Sequence, residues 1–200
     1  MKKKIIALAL VLCLVAVAVV GGTLAYFTDE ANAKNEFTVG NVDIDLTEPN
    51  WEKTGKEEAK DAYPGEPLAK DPTVTNTGKN PCFVRVSVSN LDQFGDDGTI
   101  IYRTDYVDNA LSREWTEYDG YYYYYKDGNG VLPAGATTDA LFDQIVIPVG
   151  VTNNAETQPI EVIAQAVQAQ GARPSFSDVQ KMTVAEIAAW FGTCGMDAEE

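Results

Sequence analysis

Apolar and polar residues alternate with a period of two near the start of the chain. The first such stretch covers residues 37–46, and Gly40 and Asn41 interrupt it. Its apolar members are Phe37, Val39, Val42, Ile44 and Leu46. Alternation of this kind is typical of strands with one buried face, and an interruption by glycine indicates a bulge or a change of register. The stretch therefore predicts the first β-strand of the folded chain, with a bulge or a change of register at Gly40 and Asn41.

Seven further stretches have the composition of strands and are separated by turn residues. They are residues 72–75, 83–89, 99–102, 115–118, 121–126, 141–151 and 160–167. Asp119 and Gly120 lie between two of them and give the strongest hairpin signal in the chain. Residues 48–67 are charged and contain proline and glycine, so we expect a long loop there with at most a turn of helix.

The end of the chain predicts one helix, over residues 178–191. Thr183 and Glu186 have the spacing of a capping box, and Gly192 marks the stop. Together the elements predict a mainly β fold: an antiparallel sandwich of jelly-roll or Greek-key type with a short C-terminal helix, preceded by an apolar signal helix. We expect residues 27–200 to form a single domain, in which residues 27–36 are a flexible N-terminal segment.

The first 26 residues have a different pattern. Three lysines precede an uninterrupted apolar run, residues 5–20, and small residues follow it. This order is typical of a secretory signal peptide, and we expect cleavage near Ala25, Tyr26 or Phe27. An uncleaved membrane anchor is the competing interpretation, because residues 5–25 are just long enough to span a bilayer. The segment predicts a secreted protein that contacts the membrane only before cleavage.

The charge of the chain excludes one class of partner. The sequence has 15 basic and 30 acidic side chains, a net charge of −15, and no histidine. Residues 1–26 contain three lysines and no acid, so the remaining 174 residues have 12 basic and 30 acidic side chains, a net charge of −18. Such a surface repels phosphate backbones, so no nucleic acid is expected to bind. The absence of histidine removes the commonest metal ligand and the usual general base, and we assign no catalytic residue and no cofactor.

Two turns contain candidate ligands for Ca²⁺, which prefers oxygen donors. The candidates are Asp96, Asp97, Asp127 and Asn129. Neither stretch has the full spacing of a calcium loop with a closing glutamate, and turn formation alone explains both.

Cys82 and Cys194 are the two cysteines that follow the apolar segment. An even number in an exported protein permits a disulfide, and closing so long a loop would stabilise the fold by about 4–5 kcal/mol. Two partly buried free thiols are the alternative, and the sequence leaves both open.

Five consecutive tyrosines follow the turn at Asp119. They are Tyr121, Tyr122, Tyr123, Tyr124 and Tyr125. Successive side chains of a strand point to opposite faces, so we expect at least one face of this run to be exposed. Exposed aromatic rings stack on sugars and form protein contacts, which makes the run a candidate interface. The alternative is a hairpin whose outer tyrosines only cover the sheet.

Several blocks of the sequence resemble a known family. Gly-Gly-Thr-Leu-Ala-Tyr-Phe-Thr-Asp at residues 21–29 and Asn-Glu-Phe-Thr-Val-Gly-Asn-Val-Asp-Ile-Asp-Leu at residues 35–46 resemble the SipW-dependent type of signal peptide and the first strand of the TasA/camelysin family. Val-Thr-Asn-Thr-Gly at residues 74–78, followed by Phe-Val-Arg-Val at residues 83–86, is similar to that family's second block.

The resemblance implies export through a dedicated signal peptidase, a jelly-roll sandwich and assembly into extracellular biofilm-matrix fibres. In such fibres the freed N-terminal segment is the donor strand for the next subunit. Here that segment would be residues 27–39, with Phe27, Phe37 and Val39 as assembly residues. The partner would be a second copy of the chain or a related matrix protein.

Two other functions stay open. One is a monomeric cell-surface module that binds a glycan or a protein through the tyrosine run. The other is peptidase activity, since some camelysin-like relatives are described as metallopeptidases. We do not expect that activity, because the chain has no histidine to hold zinc.

Overall fold

The computed structural model describes residues 42–94, 98–151 and 158–196. The strands in these ranges are β1 (Ile44–Thr47), β2 (Pro67–Ala69), β3 (Thr73–Asn76), β4 (Cys82–Val88), β5 (Ile101–Thr104), β6 (Val107–Asp108), β7 (Trp115–Tyr118), β8 (Tyr121–Tyr124), β9 (Gln144–Val146) and β10 (Val162–Gln168). The helical elements are a π-helical turn (Trp51–Gly55), α1 (Lys56–Glu58), a 3₁₀ turn (Ala59–Asp61), α2 (Phe176–Val179) and α3 (Val184–Thr193).

These strands form three sheets, in which all pairs are antiparallel. One sheet has the order β10-β4-β8-β7, a second has the order β2-β9-β5-β6, and β1 pairs with β3 in a third. The longest register joins β4 and β10, from Cys82 opposite Gln168 to Val88 opposite Val162. Most neighbouring strands are not consecutive in the chain, so contacts between distant residues fix the strand order.

The two four-stranded sheets pack on a common core. Val84 and Val86 of β4 are buried in it, as is Ile145 of β9. Tyr102 of β5 and Tyr122 of β8 meet edge to face, with ring centroids 6.2 Å apart. Burial of such side chains is worth about 1.5–3 kcal/mol each relative to leaving them exposed. This core joins the sheets into the predicted sandwich.

The C-terminal helices cover the other face of the β10-β4-β8-β7 sheet. Phe83 and Tyr123 on that face form a second buried cluster with Ile187 and Phe191 of α3. The ring centroids of Tyr123 and Phe191 are 5.9 Å apart. The described part of the chain therefore has three layers: sheet, sheet and helix. The prediction of a mainly β, antiparallel fold with a short C-terminal helix is confirmed.

Local signals located one hairpin and one helix start correctly. Asp119 and Gly120 both have positive φ, 51° and 77°, and connect β7 to β8. This is the backbone that the favoured two-residue hairpin turn needs. Thr183 and Glu186 form a complete capping box at the start of α3. Both features depend on residues within four positions of each other, so the sequence alone predicts them.

Other predicted boundaries are wrong. The predicted strand over residues 141–151 is reduced to β9, because Pro148 has no backbone N–H and a turn follows it. The single helix predicted over residues 178–191 is two helices, since Ser175 caps α2 and Thr183 caps α3. Residues 48–67, predicted as a long loop with a turn of helix, contain more than one helical turn, from Trp51 to Asp61.

Residues 1–41 lie outside the described residues. The predicted signal peptide, the flexible segment 27–36 and the first strand positions belong to that range and stay predictions. The described ranges belong to one structural unit, Val39–Glu200. Within them, no helix has the length and the apolar composition that crossing a bilayer requires.

Candidate functional site

Two neighbouring strands each leave one edge without a partner. Among the described strands, β1 pairs only with β3 and β10 pairs only with β4. Leu46 of β1 and Val162 of β10 line a gap beside these edges, together with Ile160, and its volume is about 330 Å³. We call this gap and its continuation, described next, the edge groove.

The edge groove continues along the second sheet. Leu68 of β2, Ile145 of β9 and Ile160 line this part, which has a volume of about 400 Å³. Ile160, Glu48 and Lys70 line both parts, so the two are continuous. The groove therefore runs from the edge of β1 to the β2-β9-β5-β6 sheet, and its wall is mainly apolar.

An ion pair lies where the two parts of the groove meet. Lys70 is only 5% exposed. Its Nζ donates to both carboxylate oxygens of Glu48, at 2.8 and 3.0 Å, and lies 4.9 Å from the centroid of the Trp51 ring. A buried ammonium group needs such a partner, because the carboxylate offsets the lost hydration. The pair places a buried charge pair in the groove, which Thr47, Glu52, Gln93 and Gln158 also line beside its apolar residues.

Asp71 fixes the helical segment that forms the outer wall. Its carboxylate accepts hydrogen bonds from the backbone N–H groups of Asn50, at 2.9 Å, and Trp51, at 3.1 Å. These bonds satisfy donors that the start of a helical segment leaves without a partner. Gly55 lets the segment approach β2, since a Cβ at that position would overlap the carbonyl oxygen of Ala69. The shape of the groove thus depends on contacts between residues about 20 positions apart.

This arrangement is suited to binding an extended chain. An unpaired strand edge offers backbone hydrogen bonds to an added strand. An apolar wall beside that edge accepts every second side chain of the same strand, which is the usual division of roles in strand addition. The groove therefore fits a segment with apolar residues at alternate positions.

Seven of the predicted site residues lie outside the described residues. They are Ala25, Tyr26, Phe27, Phe37, Val39, Asp96 and Asp97. The other calcium candidates, Asp127 and Asn129, belong to a tight turn. Asp127 has φ 50°, and the Oδ1 of Asn129 accepts a hydrogen bond from the Val131 N–H at 3.0 Å. Turn formation accounts for both, and calcium binding stays an untested prediction.

Both faces of the tyrosine strand are covered, which corrects the expectation of an exposed face. Tyr122 and Tyr124 pack in the core between the sheets. Tyr121, Tyr123 and Tyr125 pack on the side of α3, and Tyr123 is 1% exposed. Burial raises the pKa of Tyr122 to about 12. The run mainly builds the core, because a layer packs on each side of the strand.

Both described cysteines are free thiols, which is one of the two alternatives that the sequence leaves open. Cys82 is buried in the core between the sheets, whereas Cys194 is exposed at the end of α3. The sheet lies between them, since α3 packs on its opposite face. Burial raises the pKa of the Cys82 thiol to about 12, which keeps it protonated and unreactive at neutral pH.

The sequence analysis missed two buried cations, Lys70 and Arg85. Arg85 lies between Val84 and Val86 in β4, and only 4% of its surface is exposed. A single cation within an apolar strand is a signal that was available in the sequence. Lys70 has no comparable local signal, because its partner Glu48 lies 22 residues away.

Residues 1–82 match the family model described as camelysin metallo-endopeptidase. This part of the chain is similar to the camelysin family. The region of the match includes β1, β2 and β3 and the helical segment of the edge groove, and it ends at Cys82, the first residue of β4. Comparison of the chain with curated proteins and with solved structures gave no match.

The camelysin description implies a catalytic metal, and the side chains of the described ranges do not fit one. The sequence has no histidine, and the described ranges contain no group of three His, Cys, Asp or Glu side chains that could hold a metal ion. Zinc in peptidases is held by histidine together with carboxylates. We therefore derive no hydrolytic step for this chain.

Proposed function

We propose that the protein is an exported, non-enzymatic structural subunit that assembles by donating its N-terminal strand to a neighbouring copy. The observation that carries the proposal is the edge groove. It combines two strand edges that have no partner among the described strands with a largely apolar wall. Strand addition needs an open strand edge and an apolar wall beside it, whereas a binding site for a small molecule does not need an open strand edge.

The donor in this proposal is the segment of residues 27–39. Phe37 and Val39 stand at alternate positions, as a strand bound in the groove requires. Export with cleavage near Ala25, Tyr26 or Phe27 would free this segment, and the lysines and apolar run before it support export. The family match over residues 1–82 is consistent with this role, since it includes both the donor segment and one wall of the groove.

The alternatives have less support. A binding module that uses the tyrosine run would need exposed rings, but Tyr123 and Tyr124 are 1% and 7% exposed. A metallopeptidase would need a metal site, and the donor side chains do not fit one.

The direct test compares a chain of residues 27–200 with a chain of residues 40–200, which lacks Phe37 and Val39 and the rest of the donor segment. Light scattering after size exclusion and electron microscopy of the same samples measure the assembly state. We expect concentration-dependent polymers from the longer chain and monomers from the shorter one, because only the first retains the whole donor segment. Monomers from both chains under all assembly conditions would refute the proposal and return attention to the binding-module function.

A further inference from the structure

Arg85 is a buried cation on the side of β4 that faces α3. It is 4% exposed. Its guanidinium carbon lies 3.9 Å from the ring centroid of Tyr121 and 4.5 Å from that of Phe191. Stacking on aromatic rings stabilises the faces of a guanidinium group, and its N–H groups then point outward from its rim. The N–H groups at the edge of the guanidinium plane are therefore the groups through which Arg85 can bind a ligand.

Part of this rim has no acceptor in the described structure. Nε donates to the Oε1 of Gln165 at 2.7 Å, Nη1 to the hydroxyl of Tyr123 at 3.5 Å, and Nη2 to the carbonyl oxygen of Met196 at 2.6 Å. A guanidinium group has five N–H donors, so two lack a bond within the described ranges. No acidic side chain there forms an ion pair with Arg85. A buried guanidinium group without a carboxylate is costly.

A pocket beside Arg85 has room for such a carboxylate. Its volume is about 330 Å³, and one wall is the small-residue face of α3. Ala185, Ala188 and Gly192 lie on this wall at helical spacing, and Tyr118 of β7 also lines the pocket. Larger side chains on that face of the helix would fill the space. The pocket thus joins a buried cation to unoccupied volume.

We propose that this pocket, the Arg85 pocket, is a binding site for a carboxylate group. The planar fork of a guanidinium group matches the two oxygens of a carboxylate. Groups with higher negative charge are disfavoured, because Asp119 also lines the pocket and the chain has a net charge of −15. A singly charged, planar group is the anion that this site accommodates best.

The carboxylate has two candidate sources. Asp197, Glu199 and Glu200 follow Met196 in the sequence, and the Met196 carbonyl already contacts Arg85. A carboxylate tethered so closely has a high effective concentration. A free carboxylic acid of small size is the other source. The chemistry at Arg85 is the same in both cases, so the experiment has to separate the sources.

The test follows the side-chain Nε–H resonance of Arg85 by NMR in ¹⁵N-labelled full chain, purified in a non-ionic detergent. Sodium acetate is titrated against sodium chloride at equal ionic strength. The same titration is made on a chain in which Asp197→Asn, Glu199→Gln and Glu200→Gln remove the three side-chain charges and a C-terminal amide removes the charge of the terminal carboxylate. Ala188→Leu in that neutralised chain fills the pocket without altering Arg85. Arg103→Gln on the other sheet leaves the pocket unchanged and should bind acetate like the neutralised chain.

Each outcome decides the question. If acetate shifts the resonance saturably in the neutralised chain, and more weakly or not at all in the unmodified chain, the acidic residues are the source. Saturable shifts of equal or higher affinity in the unmodified chain indicate a free acid. We expect Ala188→Leu to weaken acetate binding by at least about tenfold. Absence of a saturable shift in both chains, an equal effect of chloride, or undiminished binding by the Ala188→Leu chain would overturn the proposal.

Discussion

At the residue scale, buried polar side chains show how closely the interior is specified. Asn76 is fully buried. Its amide donates to the carbonyl oxygens of Asn80, at 2.9 Å, and Leu132, at 3.1 Å, and its Oδ1 accepts from the Gly78 N–H at 3.0 Å. One side chain therefore ties the end of β3 to the following turn and to the chain at Leu132. The turn residues were evident in the sequence, but the contact with Leu132 was not.

We expect Asn76→Ala to lower the free energy of unfolding by about 1–3 kcal/mol, because it removes three hydrogen bonds of a buried side chain and leaves a small cavity. Urea denaturation followed by circular dichroism measures the change. Thr47→Ala, at an exposed position of β1, is the control and should alter stability by less than about 0.5 kcal/mol. Equal stability of the Asn76→Ala chain and the parent would contradict the role of this network.

Burial of Cys82 and Tyr122 makes stability depend on alkaline pH. In the folded chain, burial raises the pKa of Cys82 from 9.0 and that of Tyr122 from 10.0, in both cases to about 12. Above pH 9 the unfolded chain therefore loses protons that the folded chain retains. Stability falls with rising pH wherever the folded state binds more protons. We expect the urea midpoint to decrease between pH 9 and pH 12.

Tyr122→Phe supplies the test of this linkage, because phenylalanine cannot titrate. The variant should show a shallower decrease above pH 10 than the parent, while both behave alike between pH 7 and pH 9. Urea midpoints measured across the range give the slopes. The same slope for both chains above pH 10 would show that Tyr122 does not contribute.

At the element scale, the helical segment beside β2 depends on tertiary contacts. Gly55 is buried and helical, with φ −56°. Replacing a glycine by alanine in an exposed helix usually stabilises it by up to about 1 kcal/mol. Here we expect Gly55→Ala to destabilise the fold by about 1–3 kcal/mol, since the new methyl group would overlap the Ala69 carbonyl oxygen. Thermal unfolding measures the effect, with Lys56→Ala at the next, exposed position as control. A Gly55→Ala chain more stable than the parent would contradict the close contact between residue 55 and the Ala69 carbonyl oxygen.

The edge of β10 provides a second test of an element. Val162 lines the edge groove, whereas Ile163, the next residue, is 52% exposed and points away from the core. Val162→Lys places a charge in the apolar groove, and we expect the critical concentration for polymers to rise by at least about tenfold. Ile163→Lys is the matched control and should polymerise like the parent. Equal loss of assembly in both variants would indicate a different contact surface.

At the scale of the whole molecule, the net negative charge would oppose the proposed assembly. The residues after the predicted signal peptide have 12 basic and 30 acidic side chains. Subunits of like charge repel each other, and salt screens that repulsion over about 8 Å at 0.15 M ionic strength. We expect polymers of residues 27–200 to form several-fold faster at about 150 mM than at about 10 mM sodium chloride, as measured by light scattering. Assembly that slows with salt would point to attraction between charges instead.

The sequence by itself determined the class of the fold and its local features. Alternation identified most strands, Asp119 and Gly120 identified the hairpin, and Thr183 identified the start of α3. These features form between residues a few positions apart, so a short stretch of sequence contains the complete physical cause. The family match also rests on a continuous stretch, residues 1–82.

Only the tertiary structure decided which faces are covered and which edges stay open. β4 and β10 pair across about 80 positions, as the bond from Arg85 to Gln165 shows. Such contacts depend on which distant surfaces bury the most apolar area together, and no local pattern records that outcome. For this reason the burial of the tyrosines, the separation of Cys82 from Cys194, and the two sites proposed here follow from the fold and not from the sequence alone.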